Sequence, residues 1–152
     1  MDFLKIQSEI LKGAYNRLIK DKEFDWQYCE TDQSVVMGNA FECYIIPKQY
    51  VFLNIEKTFD RPPLEGFKTI IQGSETTHFV EDTGIEKHLP DSNIAVHIFD
   101  CGEGEELWIN VKLLKRFDLK KCVFKGNNRK TPLFIYENDV LVGIVIGINH
   151  NS

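Results

Sequence analysis

The sequence lacks a long hydrophobic run and a secretory pattern. Its longest apolar stretch, residues 140–148, has the length of a strand and is interrupted by glycine. A helix that crosses a bilayer needs about 20 apolar residues, so no membrane association is expected. Asp2, Lys5 and Glu9 interrupt any apolar core of a signal peptide. The sequence therefore predicts a cytoplasmic protein.

Closely spaced cysteines are also lacking. The four cysteines are far apart and form no CxxC pair: Cys29, Cys43, Cys101 and Cys122. This spacing argues against a metal ribbon, a thioredoxin-like redox site and a disulfide framework. Each cysteine lies in or beside an apolar run, where a thiol packs as a small hydrophobic group. We expect reduced, buried cysteines.

The residue patterns of common catalytic, metal and cofactor sites are absent too. No histidine has a partner at metal-ligand spacing. His97, Asp100 and Cys101 are close in sequence, but alternation along a strand places Asp100 on the opposite face from the other two. Gly102 and Gly104 flank a glutamate in what resembles a hairpin turn more than a phosphate loop. We predict no catalytic residue, no metal and no cofactor.

Two weaker possibilities stay open from composition alone. Acidic side chains near the turns could supply paired carboxylates, although solvated loops explain them better: Glu81, Asp82, Glu103, Glu105 and Glu106. Aromatic side chains in strands could stack on single-stranded bases, although most should fill the core: Trp26, Tyr28, Trp108 and Tyr136.

What is present fits one globular domain over residues 1–152. The chain is 43% hydrophobic and 27% charged, with a formal net charge of −5. The charge is uneven, because residues 1–22 and 110–121 together hold ten basic and four acidic side chains. A globally acidic protein with two basic segments can present a surface for a polyanion. Solvated helix faces are the simpler interpretation.

Apolar periodicity predicts two helices and many short strands. A first helix is predicted over residues 3–20 by one apolar stripe, which should be buried: Phe3, Ile6, Ile10, Leu11, Ala14, Tyr15 and Leu18. Asn110 is a suitable N-cap for a second helix, whose apolar side is Val111, Leu114 and Phe117. Strands are predicted at 24–29, 34–38, 40–46, 50–55, 67–71, 76–81, 94–100, 106–109, 132–136 and 140–148, with residues 56–67 as a link and 84–91 as a loop. The expected fold is α+β, a largely antiparallel sheet with two helices on one face.

Several short motifs resemble the bacterial DNA sliding-clamp family, of the small type found in phages and mobile elements. They are YCETD at 28–32, AFECYIIP at 40–47, WINVKLLK at 108–115, TPLFIY at 131–136 and LVGIVI at 141–146. The resemblance implies a DNA-clamp-like fold with both helices facing duplex DNA. A clamp subunit has three such domains and this chain has one, so the family's peptide-binding groove is not carried over.

The resemblance and the charge pattern together predict a processivity protein that contacts duplex phosphates without reading sequence. The predicted DNA-binding residues are Lys5, Lys12, Arg17, Lys20, Lys112, Lys115, Arg116 and Lys120. Ring closure by single domains requires a homo-oligomer, with a polymerase or replication protein as a further partner. The alternatives are a clamp-fold protein-interaction module that does not bind DNA and, less favoured, an enzyme.

Overall fold

The computed structural model describes residues 1–150, and these divide into two compact units. The first unit runs from Met1 to Ile71 and the second from Gln72 onward. Helices and antiparallel strands occur in the chain, which confirms an α+β fold with an antiparallel sheet. Within residues 1–150, no helix is both long enough and apolar enough to cross a membrane. That the whole chain folds as one domain stays a prediction.

The first unit begins with helix α1, Phe3–Lys20, which has the predicted bounds. Its N-cap is Asp2, whose side chain accepts a hydrogen bond from the Lys5 backbone N–H at 3.0 Å. Its C-cap is Asp21, in the left-handed conformation at φ 52°. Ile6, Ile10 and Ala14 recur at helical spacing and are buried. Packing of this side, together with both caps, stabilises the helix.

Three strands follow as an antiparallel meander: β1 (Gln27–Glu30), β2 (Ser34–Gly38) and β3 (Glu42–Pro47). The β2–β3 connection is tight, and Asn39 receives backbone N–H groups on its side-chain oxygen. Gly38 is required at this turn, because a Cβ there would lie 2.4 Å from the Cβ of Cys43. The predicted strands at 34–38 and 40–46 are confirmed to within two residues.

Beyond β3 the sequence interpretation was wrong twice. Residues 50–55, predicted as a strand, contain the end of a short 3₁₀ turn (Lys48–Tyr50) and the start of helix α2 (Ile55–Thr58). Residues 67–71, also predicted as a strand, belong to helix α3 (Gly66–Gln72). Asn54 caps α2 by accepting the Lys57 backbone N–H. Local capping and tertiary packing therefore outweighed the β-branched composition of these segments.

The second unit is a six-stranded antiparallel sheet with the order β9-β8-β7-β4-β5-β6. Its strands are β4 (His78–His88), β5 (Ala95–Gly102), β6 (Glu105–Asn110), β7 (Cys122–Gly126), β8 (Leu133–Glu137) and β9 (Val140–Val145). Phe99 and Phe124 meet at 4.8 Å between ring centroids inside its core. Both rings are buried, so this pair anchors the apolar side of the sheet.

Strand β4 is longer than predicted and joins the two halves of this sheet. Its first residues pair with β7, and its residues from Glu81 onward pair with β5 on both sides of an irregularity between Asp82 and Glu86. The loop expected at 84–91 is therefore wrong, since β4 continues to His88. Strand β7 was missed altogether, because its apolar run of three residues is short and lies between Lys121 and Lys125. A bulge of this kind bends the sheet and re-aims its side chains.

The second helix is much shorter than the sequence pattern suggested. Helix α4 is a single turn, Val111–Leu114, and a separate 3₁₀ turn follows at Leu119–Lys121. Asn110 caps α4 as predicted, accepting the Lys112 backbone N–H at 3.0 Å. Leu114 and Phe117 are buried against the unit, so the apolar side of this segment was correctly assigned.

The tail after β9 returns to strand β6. The Ile148 backbone N–H donates to the Trp108 carbonyl at 2.7 Å. The His150 ring stacks on Trp108 with centroids 4.0 Å apart, and the Arg129 side chain donates to the His150 carbonyl. The outer edge of β6 is thus partly covered by the chain's own tail.

Candidate interaction surfaces

Helix α1 carries two apolar stripes, whereas one was predicted. The buried stripe contains Ile6, Ile10 and Ala14, and Gln7 is buried beside it. The second stripe is exposed, and it includes side chains that we expected in the core. The exposed apolar residues of the helix are Leu4, Leu11, Tyr15, Leu18 and Ile19. The predicted single stripe was too wide, because burial is limited to one narrow side of the helix.

Gln7 fixes the buried side of α1 to the segment after β3. Its side-chain amide donates to the carbonyls of Phe3 and Tyr50 at 2.9 and 2.8 Å. Its side-chain oxygen accepts the Phe52 N–H at 2.9 Å and the Leu53 N–H at 3.4 Å. Phe3 also stacks on Tyr50 at 5.7 Å. These bonds satisfy a buried polar side chain and determine which face of α1 points inward.

The exposed stripe has the spacing of a helix-pairing seam. Leu4, Ser8, Leu11, Tyr15 and Leu18 are separated by four, three, four and three residues. This alternation keeps side chains on one line along a helix that packs against another helix. Leu18 is 74% exposed and Leu4 61%. An apolar line of this length on a surface marks a contact site.

The predicted DNA-binding residues of α1 have unequal surroundings. Lys5, Lys12 and Lys20 are exposed. Arg17 is engaged within the unit, because its Nη1 lies 3.3 Å from the Asp60 carboxylate. The Arg17 guanidinium also lies over the Phe24 ring, 5.0 Å from the centroid. Three of the four side chains are therefore free to meet an anion in solution.

The remaining predicted DNA-binding residues belong to the second unit. Lys112 lies on α4, and Lys115 follows its last residue; both are exposed. Arg116 is half-buried, and Lys120 is an exposed residue of the 3₁₀ turn that Asp118 caps. The structure brings these four residues into one short segment. Their role towards DNA stays a prediction.

The most ordered polar cluster is centred on His97, with partners that sequence reasoning did not find. Its Nε2 lies 2.5 Å from Asp82 Oδ1, and its Nδ1 lies 3.7 Å from Glu86 Oε1. Asp82 also accepts the Gly84 backbone N–H at 2.8 Å. The predicted loop at 84–91 hid this cluster, since only a β4 that continues past Asp82 brings Glu86 opposite His97.

A cleft of about 330 Å³ opens beside His97 and Glu86. Its remaining walls are apolar apart from Lys115: Val111, Leu114, Phe117 and Leu119. Carboxylates flank both ring nitrogens of His97, so the imidazole is held in place by its neighbours. This arrangement satisfies a buried polar group, which is a structural role. Among residues 1–150, no group of three or more metal-ligating side chains converges.

The cysteines are free thiols, and three of the four are buried. Burial raises the pKa of Cys43 to about 12, with a further contribution from the nearby Glu42 carboxylate. Burial also raises the pKa of Cys101 and of Cys122 to about 11. A thiolate is the reactive form of cysteine, so these three are unreactive near neutral pH. The sequence expectation of reduced cysteines packed as hydrophobic groups agrees with this environment.

No protein-family model, no curated protein and no solved structure matches this chain. The sliding-clamp resemblance therefore remains an interpretation of short sequence motifs. Three surface features are candidates for a function: the exposed stripe of α1, the two basic segments and the sheet surfaces.

Proposed function

We propose that this chain is a protein-interaction domain that self-associates through the exposed stripe of α1. The observation that carries the proposal is the heptad-spaced line of Leu4, Leu11, Tyr15 and Leu18, all left in water by the fold of the first unit. Surface leucines scattered singly are ordinary, but a continuous line at helix-pairing spacing is the pattern of an interface.

The chemistry of the stripe favours a second copy of the same helix as its occupant. Ser8 is the one polar residue on the line between Leu4 and Leu18, and no charged side chain lies on it. Two copies related by a twofold axis can therefore meet without burying a charge. Lys5 and Lys12 flank the line and can keep their ammonium groups in water while their stems cover leucine.

The energetic scale is adequate for association. Fully burying a leucine-sized side chain contributes about 1.5–3 kcal/mol. A symmetric pair would cover the exposed apolar side chains of α1 from both copies, against an association cost of about 4–15 kcal/mol. Eight such side chains, four from each copy, would contribute about 12–24 kcal/mol, which exceeds the association cost by about 8 kcal/mol. We therefore expect a dimer that dissociates in the micromolar range.

A matched set of variants tests the interface. Leu11→Glu combined with Leu18→Glu places two charges on the stripe, and we expect a monomer by size-exclusion chromatography with light scattering. Ile85→Glu is the control, because Ile85 is 56% exposed but belongs to β4. It should elute as the wild type does. A stripe variant that elutes with the wild-type mass would rule out α1 as the interface.

A second candidate is the clamp-like role in DNA replication, with the basic side chains of α1 and of the α4 segment contacting duplex DNA. It is favoured by the exposed lysines of the two basic segments, notably Lys12, Lys112 and Lys115. Phosphate contacts by such side chains give strongly salt-dependent binding without sequence preference. Gel shifts on duplex DNA at low salt, with Lys112→Glu/Lys115→Glu beside the wild type, test it. Equal retention of the two proteins would remove the DNA role.

A further inference from the structure

The sheet of the second unit has an aromatic and cationic surface that the proposed interface does not use. Phe79 on β4 and Tyr136 on β8 flank Lys125 on the intervening strand β7. The Lys125 ammonium lies 4.9 Å from the Phe79 ring centroid and 5.2 Å from that of Tyr136. We call these three residues the ring–lysine surface.

The register places this surface on one face of the sheet. Phe79 pairs directly with Lys125, and Val123, two residues earlier on β7, pairs with Tyr136. Side chains two residues apart on a strand share a face, so Val123 extends the same surface. Phe124 points the other way and packs on Phe99 in the core.

Exposure separates this surface from the core. Phe79 is 67% exposed and Val123 48%, whereas Phe124 is 4% exposed. A phenylalanine left in water on a regular strand does not contribute to folding through burial. Lys125 and Tyr136 are half-buried, and Phe134, which pairs with Lys125 on β8, is buried, so the exposed part of this surface is centred on Phe79 and Val123. Glu81 lies two residues after Phe79 on β4, so a negative charge borders the ring–lysine surface on that side.

We propose that the ring–lysine surface binds single-stranded nucleic acid. Aromatic rings on neighbouring strands offer flat apolar faces on which successive bases can stack. The lysine between them supplies the cation that a phosphate requires. Its flexible stem allows the ammonium to leave the rings for a phosphate oxygen, which frees both rings for bases.

The combination of groups selects this ligand over a protein. A protein interface of ordinary strength needs roughly 800 Å² from each partner and a desolvated centre. The centre of this surface is an ammonium, which would have to be buried or paired. A nucleic-acid strand meets the same centre with an anion and meets the rings with bases. Charge complementarity and ring geometry therefore point to one occupant.

Fluorescence anisotropy of a labelled single-stranded oligo(dT) at low salt, with full-length protein, tests the proposal. We expect Phe79→Ala and Tyr136→Ala each to weaken binding roughly five- to hundredfold, since stacking is lost. Lys125→Gln should lower the slope of log affinity against log salt by about 0.7, the loss of one phosphate contact. Ile85→Ala, on β4 but away from the surface, should bind as the wild type does.

The outcomes separate this proposal from the others. The variants should retain the far-ultraviolet circular dichroism and the cooperative urea unfolding of the wild type, so weak binding would not report unfolding. Wild-type protein that does not bind oligo(dT), or variants that bind it equally well, would overturn the proposal. Preference for a duplex of the same length would also overturn it, in favour of contacts by the basic segments. Leu11→Glu/Leu18→Glu should retain oligo(dT) binding, which separates this surface from the α1 interface.

Discussion

The two compact units bury their apolar side chains in different ways, and each leaves a different surface exposed. The first unit packs one long helix by a narrow stripe and fixes it with the buried amide of Gln7. The second unit packs strands around aromatic side chains such as Phe99 and needs little helix. Helix α1 has a second apolar stripe, so several of its leucines remain exposed. In the sheet of the second unit, side chains alternate between the apolar face and the opposite face, and Phe79 and Lys125 lie on the opposite face.

In both units, an apolar residue type alone does not show whether a side chain lies in the core. Leu18 and Ile10 belong to one helix, and Phe79 and Phe124 belong to one pair of adjacent strands, yet one member of each pair is exposed. Substitutions at the buried member of each pair should therefore lower the free energy of unfolding more than substitutions at the exposed member.

The largest effect is expected from truncating the aromatic core of the second unit. Phe99→Ala should lower the free energy of unfolding by about 3–5 kcal/mol, because it removes a fully buried ring that packs on Phe124. Phe79→Ala should change it by less than about 0.5 kcal/mol, since that ring lies mostly in water. Urea titrations of the two variants beside the wild type measure both. Similar losses in the two variants would mean that Phe79 also supports the fold.

A smaller effect is expected in the first unit, where a polar group does the fixing. Gln7→Ala leaves the partly buried carbonyl of Tyr50 and N–H of Phe52 without their partner, at a total cost of about 1–3 kcal/mol. The midpoint of thermal unfolding should fall by several degrees. Gln33→Ala is the matched control, because it is the same change at an exposed residue of the same unit, away from α1. An unchanged midpoint for Gln7→Ala would show that water replaces these bonds.

The smallest effect concerns alkaline pH. Folding raises the pKa of Cys43 from 9.0 to about 12 and that of Cys101 to about 11. The folded state then holds protons that the unfolded state releases above pH 9, so stability is constant below pH 9 and falls from there towards pH 12. Cys43→Ala should flatten this fall when urea midpoints are measured from pH 8 to pH 11. An equally steep fall in that variant would assign the loss to other groups.

Much of the architecture could be predicted from the sequence, and the failures have physical causes. Helix α1 was found with both ends, because a strong helical period runs over residues 3–20 and ends at Asp21. Helix α3 was mistaken for a strand, because its short apolar segment shows no helical periodicity. Only one of its side chains, Phe67, is buried. Strand β7 was missed because its apolar run is only three residues long, between Lys121 and Lys125.

The candidate surfaces were less accessible to sequence reasoning than the fold. Leu11 and Leu18 of α1 were identified but assigned to the core, and Leu4 was missed, because periodicity does not show how much of an apolar helix surface the fold covers. The partners of His97 depend on the register between β4 and β5 and on a bulge, neither of which leaves a local signal. Tyr136 was noted as a possible stacking residue, but its neighbours Phe79 and Lys125 come from strands distant in sequence.

Self-association through α1 is tested most directly by sedimentation equilibrium of the wild-type protein at low to high micromolar concentrations. If the exposed stripe of α1 pairs two copies, the apparent mass should rise with concentration from the 17.7 kDa of one chain towards about twice that value. A mass that stays at that of a single chain across the whole range would contradict self-association through α1.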